Sequence, residues 1–112
     1  MKTAYELRYL PVFYDDLVEK TDYIRHQLLN PKAADDLIDE VDRAIRERLS
    51  NPDSYEPYES VNDRKYKYYR IYVKNFVVFY VVIPGDRPVM EVRRILYKGQ
   101  DRARIFPNFL GR

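Results

Sequence analysis

Three apolar runs separated by very short polar breaks dominate the second half of the chain: KYKYYRIYV at 65–73, FVVFYVVI at 76–83 and VMEVRRILY at 89–97. Runs of this length, rich in β-branched and aromatic residues and bounded by turn residues, predict strands. Lys74 and Asn75 separate the first two, the length of a tight hairpin, and Asn tolerates the positive φ such turns require. The segment Pro84, Gly85, Asp86, Arg87 and Pro88 turns the chain again, so the three strands read as an antiparallel meander. Upstream, residues 3–9 alternate and place Tyr5, Leu7 and Tyr9 on one side of an opening strand. From Pro11 the period changes. Tyr14, Leu17, Thr21, Ile24 and Leu28 recur at three or four, with Phe13 and Val18 widening the stripe, which predicts a helix over 11–29. Asn30 followed by Pro31 is an N-cap with proline at the first helical position, so it ends one helix and starts another. Ala34, Leu37, Ile38, Val41, Ala44, Ile45 and Leu49 form the apolar face of that second helix. Its Asp39 and Arg43, like Asp42 and Arg46, are four apart, the spacing for pairing on the exposed side. Ser50, Asn51 and Pro52 stop it.

The order strand, helix, helix, strand, strand, strand predicts an α+β fold, an antiparallel helical hairpin packed on one face of the sheet. Periodicity does not fix where the opening strand enters that sheet. Residues 51–64 form a polar loop that is long for so small a domain. After the last strand, the sequence predicts one helical turn through Phe106, with Asp101 as its cap and Pro107 as its end.

With 112 residues, 46% of them hydrophobic, the chain reads as a single domain over 1–112 with enough apolar material for one core. Charge changes the picture more. Residues 1–60 hold 8 Lys/Arg against 14 Asp/Glu, whereas residues 61–112 hold 12 against 4. An acidic first half and a basic second half fit a basic face for a polyanion or an acidic partner, and fit acidic helix surfaces equally. No cysteine is present, the start carries no apolar signal core, and no run approaches the roughly 18 apolar residues of a membrane span, so the expected location is the cytoplasm. No cofactor or metal is expected, because the carboxylates lie on helix faces away from the single histidine, His26, and three glycines build no phosphate loop.

The stretches YRIYVKNFVVFY, 69–80, and RRILYKGQDRARIF, 93–106, resemble the RelE/ParE superfamily of bacterial type II toxins. The resemblance covers nearly the whole chain, since the helical hairpin and the order of elements agree as well. It implies a toxin with a cognate antitoxin as partner and one of two activities. RelE-like members cut mRNA on the ribosome, and ParE-like members inhibit DNA gyrase with no recognised nuclease set. A third implication is an inactive relative that only binds its antitoxin. Cutting RNA requires a base or cation to help the 2′-hydroxyl attack, an acid for the leaving oxygen and positive charge for the transition state. Carried onto this chain, the ribonuclease pattern finds its second-strand basic residues as Lys65 and Lys67. Its third-strand arginine falls near Val77, its arginine after the fourth strand falls on Lys98, and its terminal tyrosine or histidine falls on Phe106. An acid would then have to come from Tyr97 or the surroundings of the substrate.

The leading expectation is a ribosome-dependent mRNA interferase with Lys67, Arg70, Lys98 and Arg102 stabilising phosphate charge. Lys65, Lys74, Arg93 and Arg104 are the expected RNA-contacting residues. Structural roles compete for each of these. For Arg70 the structural role, pairing with a helix carboxylate or capping a turn, is the favoured one, whereas Lys65 and Lys67 equally guard a sheet edge, and Lys98, Arg102 and Arg104 equally make a solvated turn. Most tyrosines are expected to pack rather than stack on bases. Arg94 is expected on the apolar face with a buried partner, and Arg93 on the polar face with Glu91 and Tyr97.

Overall fold

In the computed structural model, which describes residues 4–58 and 65–100, the chain opens with strand β1 (Glu6–Tyr9) and helices α1 (Pro11–Asp22) and α2 (Pro31–Arg48). It continues as the meander β2 (Tyr68–Val73), β3 (Phe76–Ile83) and β4 (Val89–Tyr97). One sheet results, ordered β1-β4-β3-β2, with β1 parallel to β4 and the other pairs antiparallel. The expected α+β architecture forms, and the opening strand takes the edge beside β4.

The helical hairpin covers one face of this sheet. Phe13 of α1 and Leu37, Val41 and Ile45 of α2 meet Tyr69, Ile71, Val73, Val78, Tyr80, Met90, Val92 and Ile95. On the opposite, outer face, Val77, Phe79, Val81 and Leu96 pack with Tyr68 and with the half-buried Tyr58 and Tyr66. Covering on both faces explains why β3 is a continuous apolar run rather than an alternating one. Each fully buried aliphatic side chain contributes about 1.5–3 kcal/mol.

α1 departs most from expectation. Tyr14, Val18 and Leu28, read as part of its apolar stripe, are exposed, whereas Phe13, Asp16, Lys20 and Thr21 are buried. Two charged residues turn inward because the sheet supplies them with partners. β1 ends at Tyr9, paired with Val92, so among the described residues no strand pairs with the rest of β4 on that side. Asp16 fills the gap, accepting the Ile95 N–H at 3.1 Å and the Arg94 guanidinium through two contacts of 2.7 Å. Arg94 thus has the buried partner expected for it. Lys20 lies 5.3 Å from the centroid of the Tyr97 ring and 3.5 Å from Glu19.

The helix expected to run to residue 29 changes at Tyr23–Gln27 to a π turn. It follows Thr21, whose hydroxyl donates back to the Leu17 and Val18 carbonyls, a bond that competes with the regular ladder. Leu29 then takes a left-handed conformation, φ 52°, before Asn30 caps α2 by accepting the Ala33 N–H at 3.1 Å.

Two further corrections concern the strands. Between Phe79 and Tyr80 the register with β4 slips, so Phe79 faces Arg94 and Tyr80 faces Val92, leaving Arg93 as the extra residue of a bulge. The alternation of β4 therefore changes sides, and Tyr97 packs with the hairpin core and with Phe76 instead of sharing a face with Arg93. β2 begins at Tyr68, so Lys65 and Lys67 precede the strand rather than alternate along it. Pairing stops at Tyr68 and Val81, and the Tyr68 carbonyl takes the N–H of Tyr58 at 2.6 Å. At the β2–β3 turn the positive φ falls on Lys74, at 55°, not on Asn75.

Candidate functional site

Alternation along β2 sends Tyr69, Ile71 and Val73 into the hairpin core and leaves Tyr68, Arg70 and Tyr72 for the outer face. Tyr68 is buried, Arg70 half-buried and Tyr72 exposed. The Arg70 guanidinium carbon sits 4.5 Å from the Tyr58 ring centroid and 5.7 Å from that of Tyr72. Lys98 reaches the same Tyr72 ring, its Nζ 5.5 Å away. The position of Lys98 is fixed by its own N–H, which donates to the Asn75 carbonyl at 3.0 Å and draws the end of β4 against the β2–β3 turn. Two cations are thereby gathered around one exposed ring. Cation–π attraction, about 0.5–2 kcal/mol each, orders them without cancelling their charge.

A second group lies toward β1. Glu91, buried on β4, binds Arg8 through Oε2 at 2.9 Å and Arg93 through Oε1 at 2.8 Å, and Arg93 Nη1 donates to the Tyr68 hydroxyl at 2.9 Å. Burial alone would lower the Arg93 pKa, but the bonds to Tyr68 and Glu91 outweigh it and raise it.

The expected site residues divide accordingly. Arg70 and Lys98 come together around Tyr72. Lys65 and Lys67 are exposed ahead of β2. Lys74 pairs instead with Glu40 of α2 at 3.3 Å, and Arg93 is held by Glu91. Arg102, Arg104 and Phe106 lie outside the described residues, as does the helical turn expected there. Val77 is fully buried in the outer-face apolar cluster. Tyr97, the candidate substitute acid, is on the hairpin side, its pKa pushed up by burial and then by Tyr23 and Glu19.

The residues that sequence reasoning missed are those that frame Arg70. Tyr58 lies in the stretch read as a polar loop, and nothing in the spacing of Arg48 and Tyr80 signals that they meet. Arg48 Nη1 donates to the Tyr80 hydroxyl at 2.8 Å, and that hydroxyl donates to the Pro52 carbonyl at 2.6 Å. Burial pushes the Tyr80 phenol up to about 12, against the opposing pull of Arg48. Among the described residues, no group of three His, Cys, Asp or Glu side chains is placed to hold a metal ion, and no helix is long and apolar enough to cross a membrane.

Compared with known proteins, residues 7–102 match a family model described as the ParE toxin of the type II toxin-antitoxin system parDE. No curated protein matches the chain.

Proposed function

Because this chain belongs to the ParE toxin family of type II toxin-antitoxin systems, a toxin with a cognate antitoxin, we propose that it acts in the cytoplasm by binding and inhibiting DNA gyrase without chemistry of its own. The contact surface is the outer face around Arg70, Tyr72 and Lys98. The observation that carries this reading is the side on which Tyr97 lies. The β4 bulge turns its phenol to the hairpin, across the sheet from Arg70 and Lys98, so the cations of the outer face are separated from the acid that RNA cleavage would draw from Tyr97. Fixed positive charge beside aromatic faces suits a binding surface, where aromatic and arginine side chains are the residues that most often dominate affinity.

RNA cleavage is a second reading, favoured by the same trio. Arg70 and Lys98 beside the Tyr72 ring offer charge for a phosphate and a face for a base, with Lys67 and Arg102 as further phosphate contacts and Lys65, Lys74, Arg93 and Arg104 as RNA contacts. Assaying gyrase supercoiling beside translation in a cell-free extract decides between them. Gyrase inhibition with translation intact supports the first reading. Cleaved ribosome-bound mRNA with supercoiling intact replaces it with the second.

A further inference from the structure

The segment 51–58 crosses the edge of β2 from one face of the sheet to the other. On the hairpin side Pro52 is buried and its carbonyl accepts the Tyr80 hydroxyl. On the outer side the Tyr58 N–H bonds to Tyr68, and its ring packs on Phe79, centroids 5.4 Å apart, beneath the Arg70 guanidinium. Phe79 and Tyr80 are neighbours in β3 that face opposite ways, so the segment is pinned to both sides of the same strand.

Arg48 stands at the centre of the hairpin-side pin. From the last turn of α2 its guanidinium donates to the Tyr80 hydroxyl, lies 3.5 Å from the Tyr55 ring centroid, and makes a long contact of 3.4 Å to the backbone carbonyl of Arg70. One side chain therefore fixes the hydroxyl that holds Pro52, stacks on the residue midway to Tyr58, and touches the Arg70 backbone from behind. With its phenol raised to about 12, Tyr80 remains a donor throughout the physiological range.

We infer that Arg48 is a positioning residue for the outer face: from the opposite side of the sheet it fixes segment 51–58, which holds the Tyr58 ring under Arg70 and orients that guanidinium toward the target. The inference rests on the reading of the outer face as the target surface. Lysine does not substitute, because an ammonium can donate to the two oxygens that Arg48 Nη1 contacts but has no planar face to lay against the Tyr55 ring. A purely electrostatic role for Arg48 would be rescued by lysine. A positioning role would not.

Arg48→Lys, Tyr55→Leu, Tyr58→Ala and Arg70→Ala, each in the full chain, test it through two readouts. Hydrogen exchange at the Tyr58 amide is expected to accelerate about tenfold or more in Arg48→Lys and Tyr55→Leu, with the β3 amides still protected. Gyrase inhibition is expected to weaken about tenfold in Arg48→Lys and Tyr58→Ala, and the double variant to be no weaker than Tyr58→Ala alone, as for residues acting in one chain of contacts. Tyr55→Leu keeps the experiment decisive if Arg48→Lys does not fold, since Tyr55 is exposed. A Tyr58 amide that stays protected in the variants overturns the positioning role whatever the target. Full inhibition by Arg70→Ala overturns instead the outer-face reading on which it rests. Weak inhibition by Arg70→Ala with full inhibition by Arg48→Lys overturns the positioning role alone.

Discussion

Asp16 is the residue on which the junction between hairpin and sheet depends. Its carboxylate accepts two guanidinium bonds from Arg94 and the Ile95 backbone N–H, all in a largely dry setting. Asp16→Ala leaves a buried arginine without its carboxylate and is expected to cost about 3–5 kcal/mol. Adding Arg94→Leu to it recovers much of that loss, because the uncompensated charge is then gone. Urea unfolding of the two single variants and the double checks both statements, and simple additivity would show that the pair does not act as a unit. Tyr80 gives a pH signature. Its phenol is neutral when protonated and is raised from 10.0 to about 12 on folding, so the unfolded chain ionises first. The stability it contributes is complete below about pH 10 and is lost as the pH rises toward about 12. Tyr5, Tyr9, Tyr69 and Tyr97 are shifted the same way and add to the slope. Tyr80→Phe is expected to be about 1–3 kcal/mol less stable at neutral pH, with the Pro52 carbonyl unpaired, yet to show a shallower decline in alkaline urea titrations.

Among the elements, the joint between the helices shows what periodicity can and cannot report. The cap at Asn30 was legible because an asparagine before a proline has one common use, and its side chain does bond to Ala33. Asn30→Ala is expected to cost about 1 kcal/mol. The π turn ahead of it carries no comparable signal, and a leucine in a left-handed conformation is the opposite of what the position favours. Leu29 is 80% exposed, so its removal forfeits little packing. Leu29→Gly is expected to stabilise the fold by about 0.5–1 kcal/mol, the relief of left-handed strain less the entropy of glycine. Thermal unfolding would register this as a raised midpoint. The three meander strands were legible from their apolar runs and turn residues. The bulge at Arg93 was not, and one extra residue was enough to send Tyr97 to the wrong face for the expected site. The inward face of α1 was misread for a related reason: a stripe counted only in apolar residues overlooks Asp16 and Lys20, whose burial depends on Arg94 and Tyr97 some eighty residues later.

For the whole molecule, the asymmetry of charge acquires a location. The acidic half supplies the hairpin, and the basic half supplies the outer sheet face, with Arg70 and Lys98 ordered by tyrosines and Arg93 held by Glu91. The family and the fold were both legible, since they follow from element order and from the 69–80 and 93–106 stretches. The site was legible only in part. Arg70 and Lys98 lie beside the same Tyr72 ring, Lys74 and Arg93 are taken up by carboxylates, and the frame of Tyr58, Arg48 and Tyr80 is created by the fold alone. The proposed activity is inhibition of gyrase by binding through the outer face. Its most direct test is supercoiling of relaxed plasmid by purified gyrase at increasing toxin, run beside Arg70→Ala and Lys98→Ala variants of unchanged thermal stability. The expected result is inhibition by the unaltered chain that weakens about tenfold or more in each variant, with ribosome-bound mRNA left whole. Undiminished supercoiling at saturating toxin, together with cleaved mRNA in the extract, would contradict it.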